Sequence, residues 1–308
     1  MRFPQALSFR PLYMERVWGG RRLESRLGRA LPAGAVIGES WELVDREDAQ
    51  SVVDHGEHAG MTLHQLWKDH REAVFGKVAD APRFPLLAKI LDARETLSVQ
   101  VHPPASVAPK LGGEPKTEMW YLLEAEEGAE LFAGFREGAN RAAFESALAS
   151  GDVASLLHRI PVSAGDTLFI PSGRCHAIGA GCLIVEVQQN SDTTYRVFDW
   201  NRLGLDGKPR ALHIEESMQS IDFHDYVPAL VPRDAVIECA EFRVERFDLS
   251  ERSEETADTG VIYTVLGGKV QCGAREFARG DFFLLPATAE DRGLEPKSRG
   301  TRVLRTTI

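Results

Sequence analysis

The stretch LSVQVHP, residues 97–103, combines the pattern of a β-strand with two side chains that can bind a metal ion. Side chains alternate between the two faces of a strand, so Val99 and Val101 share one face and Gln100 and His102 share the other. Glutamine and histidine both carry donor atoms for a metal, and here both can point at the same object. The stretch therefore predicts a strand with one apolar face and one face that carries a site.

Two further side chains extend this candidate metal site. Glu118 stands at the head of the predicted strand EMWYLL, and His176 follows the Pro-Ser-Gly turn of PSGRCHAI. Two imidazoles and a carboxylate are an ordinary ligand set for a divalent transition metal, and a glutamine oxygen is a rarer fourth ligand. Because the set carries one formal negative charge, the metal-bound site would be cationic and suited to an anionic substrate. A single histidine in a strand is, however, more often a core or surface residue than a ligand.

Short apolar or alternating segments, separated by Gly, Pro and Asp turns, fill most of the chain, which is typical of an all-β sandwich or barrel. Two stretches break this pattern. In residues 61–76, Thr62 precedes Gln65 by three positions, a capping-box signature that predicts a helix. Residues 140–160 predict two short helices, with Asp152 as the cap of the second. We therefore expect a mainly β fold with short helical insertions.

A weak internal repeat indicates two copies of one β unit. GDTLFIPSGRCH resembles GDFFLLPATAED, which begins at residue 280, and EMWYLLEAEEG can be aligned with GVIYTVLGGKV, which begins at residue 260. The alignment places Tyr121 against Tyr263. It also places Glu118 against Gly260 and His176 against Asp291. The second copy is therefore expected to keep the architecture without the metal ligands.

Composition limits the possible functions of this 308-residue chain. Its net charge of −10 and pI near 5.5 argue against a nucleic-acid partner. The chain has neither an apolar run of about 18 residues nor the pattern of a signal peptide, so we expect neither a membrane span nor secretion. Its four cysteines form no CxxC pair, as expected for a reduced compartment. We expect a cytoplasmic protein that is a monomer or a weak homodimer.

Motifs spread over the first two-thirds of the chain resemble, in the expected order, those of the type I mannose-6-phosphate isomerases, particularly their short bacterial form within the cupin superfamily. The segments that carry the resemblance are RVWGGRRL (16–23), GESWEL (38–43), PLLAKILDARETLSVQVHP (85–103), KTEMWYLL (116–123), PSGRCHAI (171–178) and VEVQQNSDTTYRVFDWNR (185–202).

This resemblance implies two cupin-type β-barrels, or jelly rolls, of which the second is degenerate. The first domain, residues 1–224, would bind the metal and contain the helical excursions near 61–76 and 140–160. The second, residues 225–308, would lack metal ligands. Residues 225–234 contain two prolines and are predicted to link the two.

The resemblance also implies one zinc ion per chain, held by Gln100, His102, Glu118 and His176. The reaction it implies interconverts mannose 6-phosphate and fructose 6-phosphate by moving a proton between C1 and C2. The matching positions assign catalytic roles to Arg196, Lys116 and Glu186. Arg196 would stabilise negative charge on the reacting oxygens, since a guanidinium stays charged at any relevant pH.

Several roles stay open at the level of sequence. Glu186 is either the base that removes the proton or a structural carboxylate paired with a cation. Lys116 either takes part in proton transfer or balances the charge of Glu118. Lys89 and Arg202 are cations available for the substrate phosphate, and Trp18 is a candidate wall of the sugar pocket.

Two other functions compete with the isomerase. His102, Glu118 and His176 would suffice for an Fe(II) cupin oxygenase, although Gln100 as a fourth ligand removes an open position. A non-catalytic, sugar-binding regulatory cupin would bind the ligand without turnover. Such a binder has no need for both Arg196 and an intact ligand set, which favours the enzyme.

Overall fold

The computed structural model describes all 308 residues and is mainly β, as predicted. The strands are β1 (Leu12–Gly20), β2 (Ile37–Leu43), β3 (Leu86–Ala93), β4 (Val99–Val101), β5 (Glu118–Ala125), β6 (Glu130–Phe135), β7 (Leu157–Pro161), β8 (Thr167–Ile170), β9 (His176–Ile178), β10 (Cys182–Gln189), β11 (Tyr195–Phe198), β12 (Ile237–Glu238), β13 (Arg243–Leu249), β14 (Ser253–Glu254), β15 (Val261–Gly267), β16 (Lys269–Cys272), β17 (Arg275–Ala278), β18 (Phe282–Leu285), β19 (Gly293–Pro296) and β20 (Thr301–Thr307).

The α-helices are short, and each is an insertion between strands. They are α1 (Arg22–Leu27), α2 (Leu63–Asp69), α3 (Arg71–Phe75), α4 (Arg141–Ser150) and α5 (Ile214–Ser220), with two 3₁₀ turns at Ala108–Leu111 and Val153–Leu156. None of these helices has the length and apolar character required to span a membrane.

The chain divides into two compact units. The first, which we call the ligand unit, comprises residues 13–40 and 89–232, and the second comprises residues 1–12, 41–88 and 233–308. This division differs from the predicted boundary between residues 224 and 225. In the second unit, Leu7 exchanges both backbone hydrogen bonds with Leu284, and Val74 O accepts from Ala287 N, so N-terminal segments belong with the C-terminal strands.

Two sheets face each other in the ligand unit. Their strand orders are β1-β2-β3-β10-β5-β8 and β11-β4-β9-β6-β7, and β2 and β3 extend beyond the unit's limits along the chain. Trp120 and Leu122 of the first sheet pack with Leu131, Ala133 and Ile178 of the second in one buried cluster. The result is a two-sheet sandwich, without a closed barrel, in which one end of the interior is available for polar groups.

A smaller sandwich of the same kind makes up most of the second unit. Its sheets have the orders β12-β13-β20-β15-β18 and β14-β19-β16-β17. Tyr263, Val270, Phe277, Phe283 and Val303 are among the buried residues that pack between them.

Backbone hydrogen bonds confirm the internal repeat and correct its register. Gly165 N donates to Leu122 O and Leu122 N donates to Asp166 O; Gly280 N and Asp281 O make the same pair of bonds with Val265. The counterpart of Leu122 is therefore Val265, which makes Thr264 the counterpart of Tyr121. The sequence alignment, which had matched Tyr121 with Tyr263, was one residue out.

With that shift, the position of Glu118 in the second copy falls on Val261 instead of Gly260. Asp291, which had been aligned with His176, lies before β19, where its carboxylate accepts from Arg252 Nη2 and Gly293 N. Val261 is apolar and Asp291 is partly exposed, so neither position offers a buried metal ligand.

The helix predicted over residues 61–76 forms, in two pieces. Thr62 caps α2 in a complete capping box with Gln65, and the helix breaks at His70, which has φ −135° and separates α2 from α3. The capping box thus fixes the start of the helix, as the sequence indicated.

The second helix predicted within residues 140–160 forms only as a short 3₁₀ helix. Asn140 caps α4, but the following turn is a four-residue 3₁₀ helix, and Asp152 makes no side-chain capping bond. The remaining residues form β7 instead, because Ile160 and Arg159 pair with Leu131 and Phe132 of β6. Pairing with a neighbouring strand here overrides the local helical pattern.

Replacing Thr62 by Ala should lower the midpoint of thermal unfolding by about 2–4 °C, because loss of an N-cap costs about 1 kcal/mol. Differential scanning calorimetry measures the shift. Thr62→Ser keeps the hydroxyl that accepts from Gln65 N and should unfold within about 1 °C of the wild type. Equal midpoints for the Ala and Ser variants would show that the capping box does not stabilise the fold.

Candidate metal centre and active site

The five-stranded sheet brings three predicted site residues side by side. Gln100 in β4 pairs with His176 in β9 on one side and with Arg196 in β11 on the other. Residues directly opposite each other on neighbouring strands point to the same face of the sheet. The three side chains therefore project together, although up to 96 positions separate them in the sequence.

Glu118 comes from the facing sheet, at the first position of β5, where it pairs with Ile170 and Gln188. Its carboxylate lies between two imidazoles. His102 Nε2 is 3.5 Å from Oε2 and His176 Nε2 is 3.4 Å from Oε1. One ligand atom from each of the three residues falls within 4.8 Å of the others, and all three side chains are buried.

Hydrogen bonds to carbonyl groups fix the tautomer of both imidazoles. His102 Nδ1 lies 2.8 Å from Thr193 O, and His176 Nδ1 lies 2.8 Å from Arg174 O. A carbonyl oxygen only accepts, so each Nδ1 carries the hydrogen and each Nε2 presents a lone pair toward Glu118. Metal-binding histidines are commonly oriented by such a bond from the other ring nitrogen.

Burial keeps both imidazoles neutral. It lowers the pKa of His102, and the nearby Lys116 ammonium adds to the effect. Burial also lowers the pKa of His176, to about 3. Neutral imidazole is the form that ligates a metal, so both rings are ready to bind at neutral pH.

Lys116 provides the positive charge next to Glu118. Its Nζ is 2.8 Å from Glu118 Oε2 and 3.3 Å from His102 Nε2. Burial alone would raise the pKa of Glu118, but the Lys116 ammonium holds it well below its ordinary value. Glu118 is therefore a buried carboxylate that stays ionised.

The donor set fits a divalent metal. Apart from the ion pair between Oε2 and Lys116, neither carboxylate oxygen of Glu118 has a hydrogen-bond partner, so this fully buried anion keeps lone pairs that can coordinate a cation. Ligand atoms about 2.0–2.1 Å from a tetrahedral zinc ion lie about 3.3 Å from one another. The separations of 3.4 and 3.5 Å between Glu118 and the two histidines are close to that value.

Gln100 lies beside this cluster, and its amide Nε2 is 3.2 Å from His176 Nε2. Because His176 Nε2 has no hydrogen, the amide donates to it. A half-turn of the amide group would present the Gln100 oxygen, which is the atom that could join a metal's ligand shell.

Glu186 and Lys89 form a second buried ion pair at the same end of the sandwich. Lys89 Nζ is 3.1 Å from Glu186 Oε1, and Lys116 Nζ is 3.6 Å from the same oxygen. Burial and the nearby charge of Glu118 raise the pKa of Glu186. Burial opposes the ammonium form of Lys89, but the charges of Glu186, Glu39 and Glu118 raise its pKa.

Trp120 holds the second oxygen of Glu186. Its indole nitrogen donates to Glu186 Oε2 at 2.9 Å, and its ring meets the His176 ring edge to face, with centroids 5.3 Å apart. Trp120 is completely buried in the hydrophobic cluster of the ligand unit. It is therefore a core residue that also orients an acidic group.

A cavity of about 530 Å³ lies beside these groups, and His102, Glu118 and His176 lie behind its lining residues Gln100 and Lys116. This volume is within the usual range for small-molecule sites. The predicted site residues that line it are Gln100, Lys116, Glu186, Lys89, Trp18 and Arg196.

The N-terminal strands form one wall of the cavity. Trp18 in β1 is 4% exposed and belongs to both the cavity wall and the hydrophobic cluster. Arg16, two residues earlier, makes a two-pronged ion pair with Glu39 in β2, with distances of 3.2 and 3.1 Å. Gly38 is required between them, because a Cβ at this position would lie 2.5 Å from Arg16 Cβ and 2.8 Å from the Trp18 ring.

Arg196 enters the cavity from β11. Its Nη1 donates to Ala211 O at 2.8 Å, while its buried Nε has no hydrogen-bond partner. Burial lowers the pKa of Arg196, and the charge of Arg210 adds to the effect. The group still remains charged, since guanidinium groups do not deprotonate in proteins.

Arg202, predicted to bind substrate, does not line the cavity. Its Nε donates to Asp199 Oδ1 and its Nη1 donates to Thr96 O, so these bonds hold the guanidinium within the protein. Arg210 lines the cavity instead, together with Asp192 and the loop residues Leu205 and Asp206. Sequence analysis missed Arg210 because it lies in a polar loop outside the quoted motifs.

Comparison with known proteins identifies relatives of this chain. A family model described as phosphomannose isomerase type I, catalytic domain, matches residues 7–132. The mannose-6-phosphate isomerase ManA of Bacillus subtilis is 37% identical over 92% of this chain and 93% of its own. The mannose-6-phosphate isomerase of Streptococcus mutans is 37% identical over 90% of this chain and 93% of its own.

Solved structures show the same relationship. The crystal structure of the mannose 6-phosphate isomerase from Bacillus subtilis is 31% identical, covers 99% of this chain and 100% of its own, and gives a TM-score of 0.88. A mannose 6-phosphate isomerase bound with zinc and yttrium is 16% identical, covers 98% of this chain and 99% of its own, and gives a TM-score of 0.73, a likeness of fold alone.

The metal-stripped protein should lose stability as the pH falls from about 6.5, because unfolding releases a buried neutral His176 that then takes up a proton. One such group adds up to about 1.4 kcal/mol per pH unit to the slope of the unfolding free energy. His176→Gln removes that proton uptake, so urea denaturation at several pH values should give a shallower slope for this variant. Parallel slopes for the variant and the wild type would contradict the burial of a neutral imidazole.

Proposed function

The chain belongs to the type I mannose-6-phosphate isomerase family, and from this membership and the geometry of its site we infer that it interconverts mannose 6-phosphate and fructose 6-phosphate with one bound zinc ion. The observation that carries the proposal is the buried His102–Glu118–His176 cluster, which is in contact with Gln100 and Lys116 in the lining of a cavity of about 530 Å³. Lys89 and Lys116 balance the charges of Glu186 and Glu118, and Arg196, which forms no ion pair, adds positive charge to the same cavity for an anionic sugar phosphate.

Zinc is the metal that we propose, with His102, Glu118, His176 and the amide oxygen of Gln100 as its ligands. The two-nitrogen, two-oxygen donor set suits zinc among the divalent metals. A protein of the same fold has been solved with zinc bound. When bound, zinc would stabilise negative charge on the substrate's neighbouring oxygens without redox chemistry.

Glu186 is our candidate for the base. It lines the cavity, and its raised pKa brings it closer to the range in which a carboxylate exchanges protons effectively. In the proposed reaction its carboxylate takes the proton from C2 of mannose 6-phosphate, a cis-enediol forms, and the carboxylic acid delivers a proton to C1 after exchange with solvent. The hydrogen bond from Trp120 holds the carboxylate in place during both transfers.

Lys116 and Arg196 would act on O1 and O2 of the substrate. Lys116 Nζ lies close to both Glu118 and Glu186, so it is placed to donate a proton to O1 and recover one from O2 as the carbonyl changes position. Arg196 has an unused buried Nε in the cavity and would stabilise the charge that develops on oxygen. Lys89 and Trp18 would contact the substrate from the cavity wall.

Incubation of the zinc-loaded protein with mannose 6-phosphate in deuterated water tests this function. We expect fructose 6-phosphate to form with deuterium at C1, a chelator to stop the reaction, and zinc to restore it. Binding without conversion at any metal loading would contradict the proposal and favour a regulatory cupin. Oxygen consumption by an iron-loaded form would favour an oxygenase.

Replacing Arg196 by Ala should lower kcat by about 100- to 1,000-fold, the usual cost of losing one group that stabilises a charged transition state. The zinc content per chain, measured by atomic emission, should not change, because Arg196 is proposed to act outside the metal's ligand shell. Arg196→Lys should recover part of the loss, since it restores the charge without the planar fork. Loss of zinc in the Ala variant would mean that the proposed role is wrong.

Replacing Glu186 by Gln should lower kcat by about 100- to 10,000-fold, because an amide cannot accept the C2 proton. Exchange of the C2 hydrogen with deuterated solvent should slow by a similar factor. Trp120→Phe removes the indole donor to Glu186 but leaves the carboxylate and an aromatic ring in the core, so this comparison variant should retain much more activity. If Glu186→Gln isomerises at more than a tenth of the wild-type rate, another group is the base.

A further inference from the structure

The turn of residues 171–175 joins β8 to β9 and is hydrogen-bonded to two of the three candidate metal ligands. Arg174 O accepts the Nδ1 hydrogen of His176 at 2.8 Å, and Gly173 N donates to His102 O at 2.8 Å. The first of these bonds fixes which ring nitrogen of His176 points into the cluster. Because the acceptor is a backbone carbonyl, the orientation of the ring depends on where the turn itself is held.

The side chain of Arg174 anchors the turn at two points. Its Nε and Nη2 donate to Asp225 Oδ2 and Oδ1 at 2.7 and 2.8 Å, and its Nη1 donates to Phe169 O in β8 at 2.6 Å. A two-pronged bond between a guanidinium and a carboxylate is both strong and directional. The two side chains are only 14% and 16% exposed, so solvent screens this pair less than an ion pair at the surface.

Asp225 is in turn fixed against β6. Its carbonyl accepts from Phe135 N at 2.8 Å, and Val227 N donates to Phe135 O at 2.9 Å. Gly134 makes this approach possible, because a Cβ at this position would lie 2.5 Å from Asp225 O and 2.9 Å from its Oδ2. The carboxylate that receives Arg174 is therefore attached to the strand next to β9.

Residues 222–227, which we call the strap, hold the turn from outside the cavity. Asp222 N donates to Gly173 O at 2.9 Å, which adds a backbone bond to the ion pair. Val227, at the other end of the strap, has a φ of 48°. A β-branched residue in this left-handed conformation is strained and persists only where its surroundings hold it. No residue of the strap lines the cavity.

We propose that Arg174 and Asp225 are positioning residues for the metal centre, and that the strap thereby sets how tightly the site binds its metal. The ion pair holds Arg174 O in the place where it orients the ring of His176. A turn released from the strap would let the carbonyl shift and the ring tilt away from the geometry that the metal requires. The inference rests on the proposed function only in that a divalent metal binds to His102, Glu118 and His176.

Zinc dissociation constants, measured by competition with a chromophoric chelator, test this role. Asp225→Asn keeps the shape of the side chain but removes its charge. It should raise the dissociation constant by about 10-fold, within the range found when a group that orients a metal ligand is lost. Equal constants for this variant and the wild type would overturn the proposal, as would failure of the wild type to bind zinc.

Asp222→Asn is the matched control for Asp225→Asn. It removes the same charge from the same strap, at a side chain that is 60% exposed and accepts a hydrogen bond from His224 N. This control should bind zinc like the wild type. An equal loss of affinity in both variants would show a general effect of charge and would also overturn the proposal.

A double-mutant cycle tests whether Asp225 acts through Arg174. Arg174→Met should weaken zinc binding by about 10- to 100-fold, and Asp225→Asn should add little in that background. Arg174→Lys, which keeps the charge but not the planar fork, should recover part of the loss. Additive losses would contradict the pairing on which the proposal depends. Asp225→Asn carries the test alone if Arg174→Met does not fold.

Cobalt(II) absorption spectra separate positioning from stability. In Asp225→Asn loaded with cobalt, the visible bands should shift or change in intensity, because they report the geometry of the metal's ligands. A purely structural ion pair would lower the thermal midpoint of the metal-free protein. It would leave the cobalt spectrum and the zinc dissociation constant of the folded protein unchanged, a result that would contradict the proposal.

These outcomes also separate the inference from the proposed function. If zinc affinity depends on Asp225 but mannose 6-phosphate is not isomerised, the function is wrong and the positioning role stands. If isomerisation proceeds and Asp225→Asn binds zinc like the wild type, the function stands and the positioning role is wrong.

Discussion

The site depends on keeping opposite charges together inside an apolar sandwich. Two carboxylates, Glu118 and Glu186, and two ammonium groups, Lys89 and Lys116, form a buried chain of three ion pairs with distances of 2.8–3.6 Å. Any one of them left unpaired would cost several kcal/mol, so the cluster is stable only as a set. Its charges sum to zero, two negative and two positive. A divalent cation among neutral imidazoles would therefore leave the centre with a charge of about +2, which suits a reaction that develops negative charge on oxygen.

Sheet register is what assembles this set from distant parts of the chain. Gln100, His176 and Arg196 lie on three neighbouring strands at matched positions, and Glu118 and Glu186 belong to adjacent strands of the facing sheet. Because a shift of one residue would turn a side chain to the opposite face, the apolar core on either side also fixes the polar site. The hydrophobic packing that fixes the strand register therefore also fixes the geometry of the site.

The sequence predicted most of the buried site and less of its surroundings. Strand alternation put Gln100 and His102 on one face, and the family motifs supplied residues whose side chains the structure brings into one cavity. The exchange of Arg202 for Arg210 could not be foreseen, because it depends on a backbone turn that directs one guanidinium to Asp199 and Thr96 O. The one-residue error in the repeat arose from matching two tyrosines, when the Gly-Asp turn and its backbone hydrogen bonds define the register. Likewise, the local pattern predicted a helix that runs to residue 160, but residues 157–161 form β7 because they pair with β6.

Anomalous X-ray diffraction at the zinc edge, on crystals of the zinc-loaded protein, tests the central claim most directly. The account predicts one strong peak per chain, about 2.0–2.2 Å from His102 Nε2, His176 Nε2 and a carboxylate oxygen of Glu118. A peak bonded to the Nδ1 atoms, or at a site away from these three residues, would contradict it.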